Sequence, residues 1–374
     1  MARTLKSDKW LFTVTVLLVG CSVVMVYSAS ALQAFNTHGS PGWFLGKQLM
    51  WAILGIGLML GVMRVDYHAL RRPAVIWTLL AVTAIALVSV FFFAPRNGTQ
   101  RWMLLGPVSL QPSELAKLTA IVFAAALLDR RMGRIHDVRY AIGPIAVVTL
   151  ALGTLIVREP DFGTAVVLLA VVGAVVFGAG LSYRYLAGMG LLLLPVAIGL
   201  VIFEPYRMRR VFAFLNPDVD PTGASYQLNQ SLIAVGSGGG VGRGLMEGVQ
   251  KLYYVPEAHT DFIYAVVGEE FGLIGTTLIL ACFVVITWRG LRAALVAPDR
   301  FGALLAIGLT LMVSLQALVN MSVVLGLAPT KGIPLPFVSN GGSSLLVSLL
   351  AMGILLNISQ QGSPTAAAAI EGRG

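Results

Sequence analysis

The stretch LFTVTVLLVGCSVVMVYSASAL, residues 11–32, contains no charged side chain. A helix needs roughly 20 apolar residues to cross about 30 Å of hydrocarbon, so this run is long enough to span a bilayer. Nine further runs of similar character follow, separated by charged residues, Pro and Gly. We predict spans at 11–32, 44–63, 74–93, 113–128, 140–157, 162–180, 185–203, 262–288, 301–327 and 343–358.

The composition agrees with this reading. Apolar residues make up 57% of the chain and charged residues 11%, and the mean hydropathy is +0.84, which excludes a water-soluble fold of this length. We predict an all-α polytopic membrane protein with about ten transmembrane helices and a large extracytoplasmic loop, 204–261, between helices 7 and 8. Residues 1–361 form one transmembrane domain in this reading, and residues 362–374 form a disordered C-terminal tail.

Basic residues in the short connections predict the orientation, because Lys and Arg near helix ends are retained in the cytoplasm. With the N-terminus inside, an even number of spans also places the C-terminus in the cytoplasm. The net charge of +9 is then a topology signal, and the dispersal of the basic residues argues against nucleic-acid binding. The predicted cytoplasmic set is Arg3, Lys6, Lys9, Arg64, Arg71, Arg72, Arg130, Arg131, Arg134, Arg139, Arg184, Arg289, Arg292 and Arg300.

Polar residues that this topology does not explain collect on the predicted outer side. A transporter would instead place ionisable residues near the middle of several spans. The asymmetric placement therefore favours chemistry or binding at the outer surface. The polar stretches are 96–117, 158–161, 204–261 and 329–336.

The segment QPSELAK, residues 111–117, places Glu114 and Lys117 three residues apart, on one helix face. One reading is a local ion pair that neutralises two costly charges, and the other is a substrate-binding pair. Arg101, shortly before this segment, is a candidate for holding phosphate.

The segment GSGGGVGRG, residues 236–244, is rich in glycine, which permits tight turns and lets backbone N–H groups approach an anion. It matches neither the dinucleotide fingerprint nor the phosphate-binding loop of nucleotide hydrolases. A flexible surface loop is the other reading. Arg243 within it is a candidate substrate-binding residue.

The segment PEAHTDF, residues 256–262, precedes the eighth span. Asp261 falls in the first turn of that helix, where it either complements the helix dipole or acts as a general base. Glu257 and His259 are further substrate-binding candidates, and two such groups two residues apart are too few to predict a metal site.

Together with PTKGIPLP, residues 329–336, these segments resemble the motifs of the SEDS family, the shape, elongation, division and sporulation proteins. The resemblance spans nearly the whole chain. It implies a multi-pass protein of the bacterial inner membrane that polymerises lipid II. It also implies partnership with a class B penicillin-binding protein and with other divisome or elongasome proteins.

The resemblance also assigns residues. Asp261 matches the acid that the family needs for polymerisation, and Glu114 and Lys117 match its paired residues on the fourth helix. Lys331 matches the lysine of the division branch, in which Pro-Thr-Lys-Gly is usual, and so favours the FtsW-like branch over the RodA-like branch. Asn340 departs from the family, which usually has an aromatic residue there.

Residues and resemblance together suggest one mechanism. The 4-hydroxyl of one lipid-linked disaccharide attacks the anomeric carbon of another and expels undecaprenyl pyrophosphate. Asp261 takes the proton, and Arg101, Lys117, Arg243 or Lys331 binds anionic groups. No cofactor or ligand cluster is encoded, and a divalent cation (Mg²⁺ or Mn²⁺) on the pyrophosphate stays open. A lipid II flippase and a non-catalytic divisome or elongasome scaffold are the alternative functions.

The predicted topology can be tested with single cysteines at Gly223 and Gly133. We expect a membrane-impermeant thiol reagent applied from outside to label position 223 and to label position 133 only after permeabilisation. Equal labelling of both positions from outside would overturn the helix count.

Overall fold

The computed structural model describes residues 7–95, 99–106, 108–134, 137–220, 223 and 225–362. Arg3, Lys6, Arg96 and residues 363–374 of the predicted tail lie outside these residues. Thirteen α-helices and one two-stranded hairpin make up the described fold. The helices are α1 Lys9–His38, α2 Trp43–Val62, α3 Pro73–Ser89, α4 Pro112–Arg131, α5 Gly143–Arg158, α6 Phe162–Gly178, α7 Tyr183–Ile202, α8 Pro205–Leu215, α9 Tyr226–Gly238, α10 Gln250–Tyr253, α11 Ile263–Val296, α12 Arg300–Val324 and α13 Gly342–Gln361, and the strands are β1 Met103–Leu105 and β2 Val108–Leu110.

Each of the ten predicted spans corresponds to one helix, which confirms the all-α class and about ten membrane helices. Eight helices within the described ranges are long and apolar enough to cross a membrane, and α6 is a shorter apolar helix. Local signals set several of the helix starts. Proline opens α3, α4 and α5, where its missing N–H costs nothing, while Asp161 and Asp299 cap the N-termini of α6 and α12.

Helices α4 and α12 lie at the centre of the bundle. They pack against each other, and α6 packs against both. A second group places α11 against α1 and α12, and α2 against α13. Helix α7 lies at the periphery beside α6 and α8, and none of its described side chains is buried. The centre therefore holds α4, the helix that carries the Glu114 and Lys117 pair.

The long segment between α7 and α11 contains helices of its own. Helix α8 follows α7 directly, and α9 packs along α11. Ser231 of α9 donates a hydrogen bond to the carbonyl of Val324, at the end of α12, over 2.8 Å. This segment is therefore a structured part of the fold.

The glycine-rich stretch docks on a break in α11. Gly272 has non-helical torsion angles (φ 61°, ψ −152°) and interrupts the helix. The backbone N–H groups of Arg243 and Gly244 donate to the carbonyls of Glu269 and Glu270, each over 3.0 Å. Beyond the break, Leu273 N–H donates to the Gly239 carbonyl over 2.9 Å. The stretch thus satisfies backbone groups that the broken helix leaves unpaired.

This docking requires bare backbone on both sides. A Cβ added at Gly238 would lie 1.9 Å from the carbonyl oxygen of Gly268. The docked stretch differs from the flexible surface loop that was one reading of the sequence. The amides of residues 243 and 244 are bonded to protein, and the anion-binding reading of the stretch stays a prediction.

We expect Gly238→Ala to lower the thermal stability of the detergent-solubilised protein, because the methyl group must push α9 away from α11. An overpacked contact of this kind costs about 1–3 kcal/mol. Gly236→Ala is the matched control, since its Cβ would meet nothing within 4 Å and alanine is the better helix former by roughly 0.5–1 kcal/mol. Equal melting temperatures for the two variants would contradict the close contact.

Candidate active site

A cavity of about 230 Å³ opens beside the hairpin and the corner between α5 and α6. Four cationic side chains line it, together with one carboxylate and the backbone of residues 329–333. The four cations are Arg101 before β1, Arg207 and Arg210 of α8, and Lys331 of the loop after α12; the carboxylate is Asp161.

Protein groups hold the cations in place. Arg210 donates to the carbonyl of Thr330 over 3.0 Å, and Arg207 donates to the carbonyl of Leu200 over 2.8 Å. The ring of Phe162 lies under both Arg207 and Lys331, at 5.4 and 5.1 Å from its centroid. The positive charges are therefore fixed around one space, as an anion site requires.

The crowding of like charges affects their protonation. Burial lowers the pKa of Lys331, which Arg210 lowers further while Asp161 opposes the change. Burial likewise lowers the pKa of the Arg210 guanidinium, with Arg101 adding to the effect. An anion in the cavity would raise the pKa of both Lys331 and Arg210, because an opposite charge favours the protonated form.

Asp261 borders the same cavity. A Cβ added at Gly332, a lining residue, would lie 2.8 Å from the Asp261 carboxylate and 3.8 Å from Nη1 of Arg101. Burial raises the pKa of Asp261 to about 7, with Glu257 adding to the shift and Arg101 and Arg210 opposing it. A carboxyl with a pKa near the working pH is well suited to general-base catalysis.

The segment that carries Asp261 is fastened to the loop that carries Lys331. The side-chain amide of Asn320 donates to the carbonyls of Asp261 and Ile333, each over 2.8 Å. Asn340 N–H donates to the carbonyl of His259 over 3.0 Å. These bonds join residues 259–261 to residues 333–340, so they fix the positions of Asp261 and Lys331 relative to each other.

Glu114 and Lys117 form a buried ion pair at 2.8 Å, with both side chains about 2% exposed. Lys117 also donates to the side-chain oxygen of Gln316, and the Gln316 amide donates to the carbonyl of Pro334 over 3.1 Å. The pair does not line the cavity. It lies behind the loop 329–336 and supports that loop through Gln316.

The remaining candidates occupy different surroundings. Glu257 lies within electrostatic range of Asp261 and accepts a hydrogen bond from Thr260. His259 is buried with its ring 4.8 Å from that of Phe44 in α2. Arg243 lies 3.5 Å from Glu269, in the glycine-rich stretch. The fold thus brings Arg101, Asp261 and Lys331 together and places His259 and Arg243 in other contacts.

Sequence reasoning did not single out Arg207, Arg210 or Asp161. The first two belong to PYRMRRVFAFL of α8, whose basic residues alternate with apolar ones in a helical pattern, and this pattern was available in the sequence. Asp161 accepts hydrogen bonds from Thr164 and Gln111. Within the described ranges, no three His, Cys, Asp or Glu side chains form a group that could hold a metal ion.

Proteins of similar sequence extend over nearly the whole chain. "Probable peptidoglycan glycosyltransferase FtsW" from Trichlorobacter lovleyi is 44% identical over 360 residues, covering 96% of this chain and 94% of that protein. "Stage V sporulation protein E" from Bacillus subtilis is 40% identical over 358 residues, covering 94% and 97%.

Two solved structures have a similar fold over nearly the whole chain. The Thermus thermophilus rod shape determining protein RodA superposes with a TM-score of 0.69 at 27% identity, covering 96% of this chain and 98% of that chain. A chain from a structure described as "Structural coordination of polymerization and crosslinking by a peptidoglycan synthase complex" superposes with a TM-score of 0.78 at 29% identity, covering 95% and 98%.

The model of the family FtsW, RodA and SpoVE, described as "Cell cycle protein", matches residues 8–363. This match confirms the resemblance found in the motifs. The chain belongs to the FtsW, RodA and SpoVE family of multi-pass membrane proteins.

Proposed function

We propose that this chain is a peptidoglycan glycosyltransferase that polymerises lipid II into glycan strands. The observation that carries the proposal is the placement of the Asp261 carboxyl beside a cavity lined by Arg101, Arg207, Arg210 and Lys331. A base and an anion site at one place are what the reaction needs. The names of the relatives support the same activity.

The reaction joins two lipid-linked disaccharides. The 4-hydroxyl oxygen of one forms a bond to the anomeric carbon of the other, while the bond from that carbon to the pyrophosphate oxygen breaks. Asp261 takes the hydroxyl proton, and the pyrophosphate leaves with the bonding electrons as an anion. Arg101, Arg207, Arg210 and Lys331 hold that anion, and the anomeric carbon inverts in a single displacement.

The proposed site is the outer face of the bacterial inner membrane, with both termini in the cytoplasm. The basic-residue pattern supports this orientation, because Lys and Arg near helix ends are retained in the cytoplasm. In this orientation the loop 204–261 and the cavity lie outside. Lipid II presents its disaccharide and pyrophosphate at that interface. The pyrophosphate of a lipid anchored in the bilayer therefore reaches the cavity at the membrane surface.

A class B penicillin-binding protein that crosslinks the strand is the proposed partner, within the divisome or elongasome. Support comes from the structural neighbour, described as a complex that coordinates polymerization and crosslinking. We favour the division branch, because the chain carries Pro-Thr-Lys-Gly at 329–332 and relatives at 42–44% identity carry the name FtsW.

The direct test gives fluorescent lipid II to the purified protein, with and without its transpeptidase. Glycan ladders would support the polymerase. Translocation across liposomes without ladders would support a flippase, and the absence of both activities would support a scaffold.

Asp261→Asn should slow polymerisation by roughly 100- to 10,000-fold, because it removes the proton acceptor and keeps the size of the side chain. If Asp261 only complemented the dipole of α11, the change would cost about 0.3–1 kcal/mol of stability and leave synthesis intact. The measurement is strand synthesis normalised to folded protein bound to its transpeptidase.

Asp261→Glu is the control, since it keeps a carboxylate displaced by one methylene, and partial activity is expected. The wild-type kcat/KM, which reports the free protein, should also rise with pH through about 7, the pKa of Asp261, because only the ionised form accepts a proton. At pH 6 roughly a tenth of Asp261 is ionised. Near-normal strands from Asp261→Asn would remove Asp261 as the base and return attention to Glu257.

Lys117→Arg should impair the protein less than Lys117→Ala, because arginine keeps a positive charge opposite Glu114. The alanine variant leaves the buried Glu114 carboxylate unpaired, which costs about 3–5 kcal/mol. It also removes the bond to Gln316, which supports the loop 329–336 beside the cavity. Folded yield, melting temperature and strand synthesis are measured together. Intact folding and synthesis in Lys117→Ala would rule out both the ion-pair role and a role in catalysis.

A further inference from the structure

Glu159 is a buried acid that the reaction described above does not use. It follows the last residue of α5 and precedes Pro160 and Asp161, which line the cavity. Its side chain is 0% exposed. Neither of its carboxyl oxygens has a hydrogen-bond partner within the described part of the chain.

Asp161, two residues further along the chain, differs from Glu159 because its carboxylate accepts hydrogen bonds. Asp161 accepts hydrogen bonds from the backbone and hydroxyl of Thr164, over 3.2 and 2.8 Å, and from the Gln111 amide over 3.1 Å. Asp161 therefore has three hydrogen-bond donors. Glu159 has no such donor among the described residues and lies near the carboxylate of Asp161, so its own ionisation is unfavourable.

Arg101 is the cation that links Glu159 to the cavity. It donates from Nη2 to the carbonyl of Pro160 over 2.8 Å, while its Nε is buried without a hydrogen-bond partner among the described residues. Both Glu159 and Asp261 lie within its electrostatic range. Arg207, which donates to the carbonyl of Val157 over 3.4 Å, is a further cation near this corner.

We infer that Glu159 is a positioning residue whose buried carboxyl does not form an ion pair with Arg101, so that the fork of Arg101 is directed at the pyrophosphate anion in the cavity. An ionised Glu159 would compete with that anion for Arg101, because a buried carboxylate without donors would pair with the unbonded Nε. The inference rests on the proposed function and adds a residue that acts through Arg101.

The charge state follows from the surroundings. Burial raises the pKa of Glu159 to about 9, and Asp161 raises it further while Arg101 opposes the shift. Glu159 is therefore neutral at pH 7.5 and becomes ionised above pH 9. Because ionisation adds a negative charge beside the anion site, affinity for pyrophosphate should fall as the pH rises through this pKa.

The test measures binding of undecaprenyl pyrophosphate to the full-length protein in detergent between pH 7.5 and pH 10. In the wild type, affinity should fall by roughly tenfold from Glu159 alone, since about nine-tenths of a group with this pKa is ionised at pH 10. Glu159→Gln cannot ionise, so its ratio of affinities at the two pH values should lack this tenfold loss. Glu247→Gln removes an exposed carboxylate and should keep the wild-type ratio.

Deprotonation of Lys331, whose pKa burial also lowers, weakens binding in every variant and cancels in the comparison. Equal ratios for wild type and Glu159→Gln would overturn the inference. If Glu159→Gln fails to fold, Glu159→Met supplies a second uncharged side chain of similar length, judged by the same ratio. Binding needs no turnover, so a pH effect on binding without glycan ladders would reject the proposed polymerase and leave this inference standing.

Discussion

The candidate site depends on one side-chain amide, that of Asn320 in α12. It donates to the carbonyls of Asp261 and Ile333, which lie 72 residues apart in the chain. Asn320 is 2% exposed, so its side chain lies in the protein interior. Breaking either bond would strand a polar group there, so the base and the loop that carries Lys331 are positioned together.

Gln316 lies one turn before Asn320, on the same face of α12. Its amide donates to the carbonyl of Pro334, next to the carbonyl that Asn320 binds, so two turns of one helix hold the loop at consecutive residues. Gln316 in turn accepts a bond from Lys117, whose charge Glu114 balances. The buried ion pair of α4 is therefore connected to the loop 329–336 through this amide, which explains how a charge pair outside the cavity can matter for its geometry.

The sequence predicted the membrane helices well because length and hydropathy are local properties, and each of the ten apolar runs became a helix. Asp261 and Lys331 were assigned through the family motifs and Arg101 through its polar stretch, but their convergence had no local signal, since these residues lie on segments far apart in sequence. Arg207 and Arg210 were missed because they sit in a helix within a long segment interpreted as loop. The docking of Gly242 and its neighbours on the break at Gly272 has no local signal, because the partner carbonyls belong to another helix.

Arg101 lies within electrostatic range of two acids, Asp261 and Glu159, whose pKa values differ because their other neighbours differ. Burial raises the pKa of both Asp261 and Glu159. Asp261, however, has a second cation, Arg210, that opposes the shift, whereas Arg101 alone opposes it at Glu159. Under the proposed function, an entering pyrophosphate adds negative charge beside Asp261 and offsets the field of both arginines. The proton affinity of Asp261 then rises, so the carboxylate becomes a stronger base in the complex in which the leaving group is held.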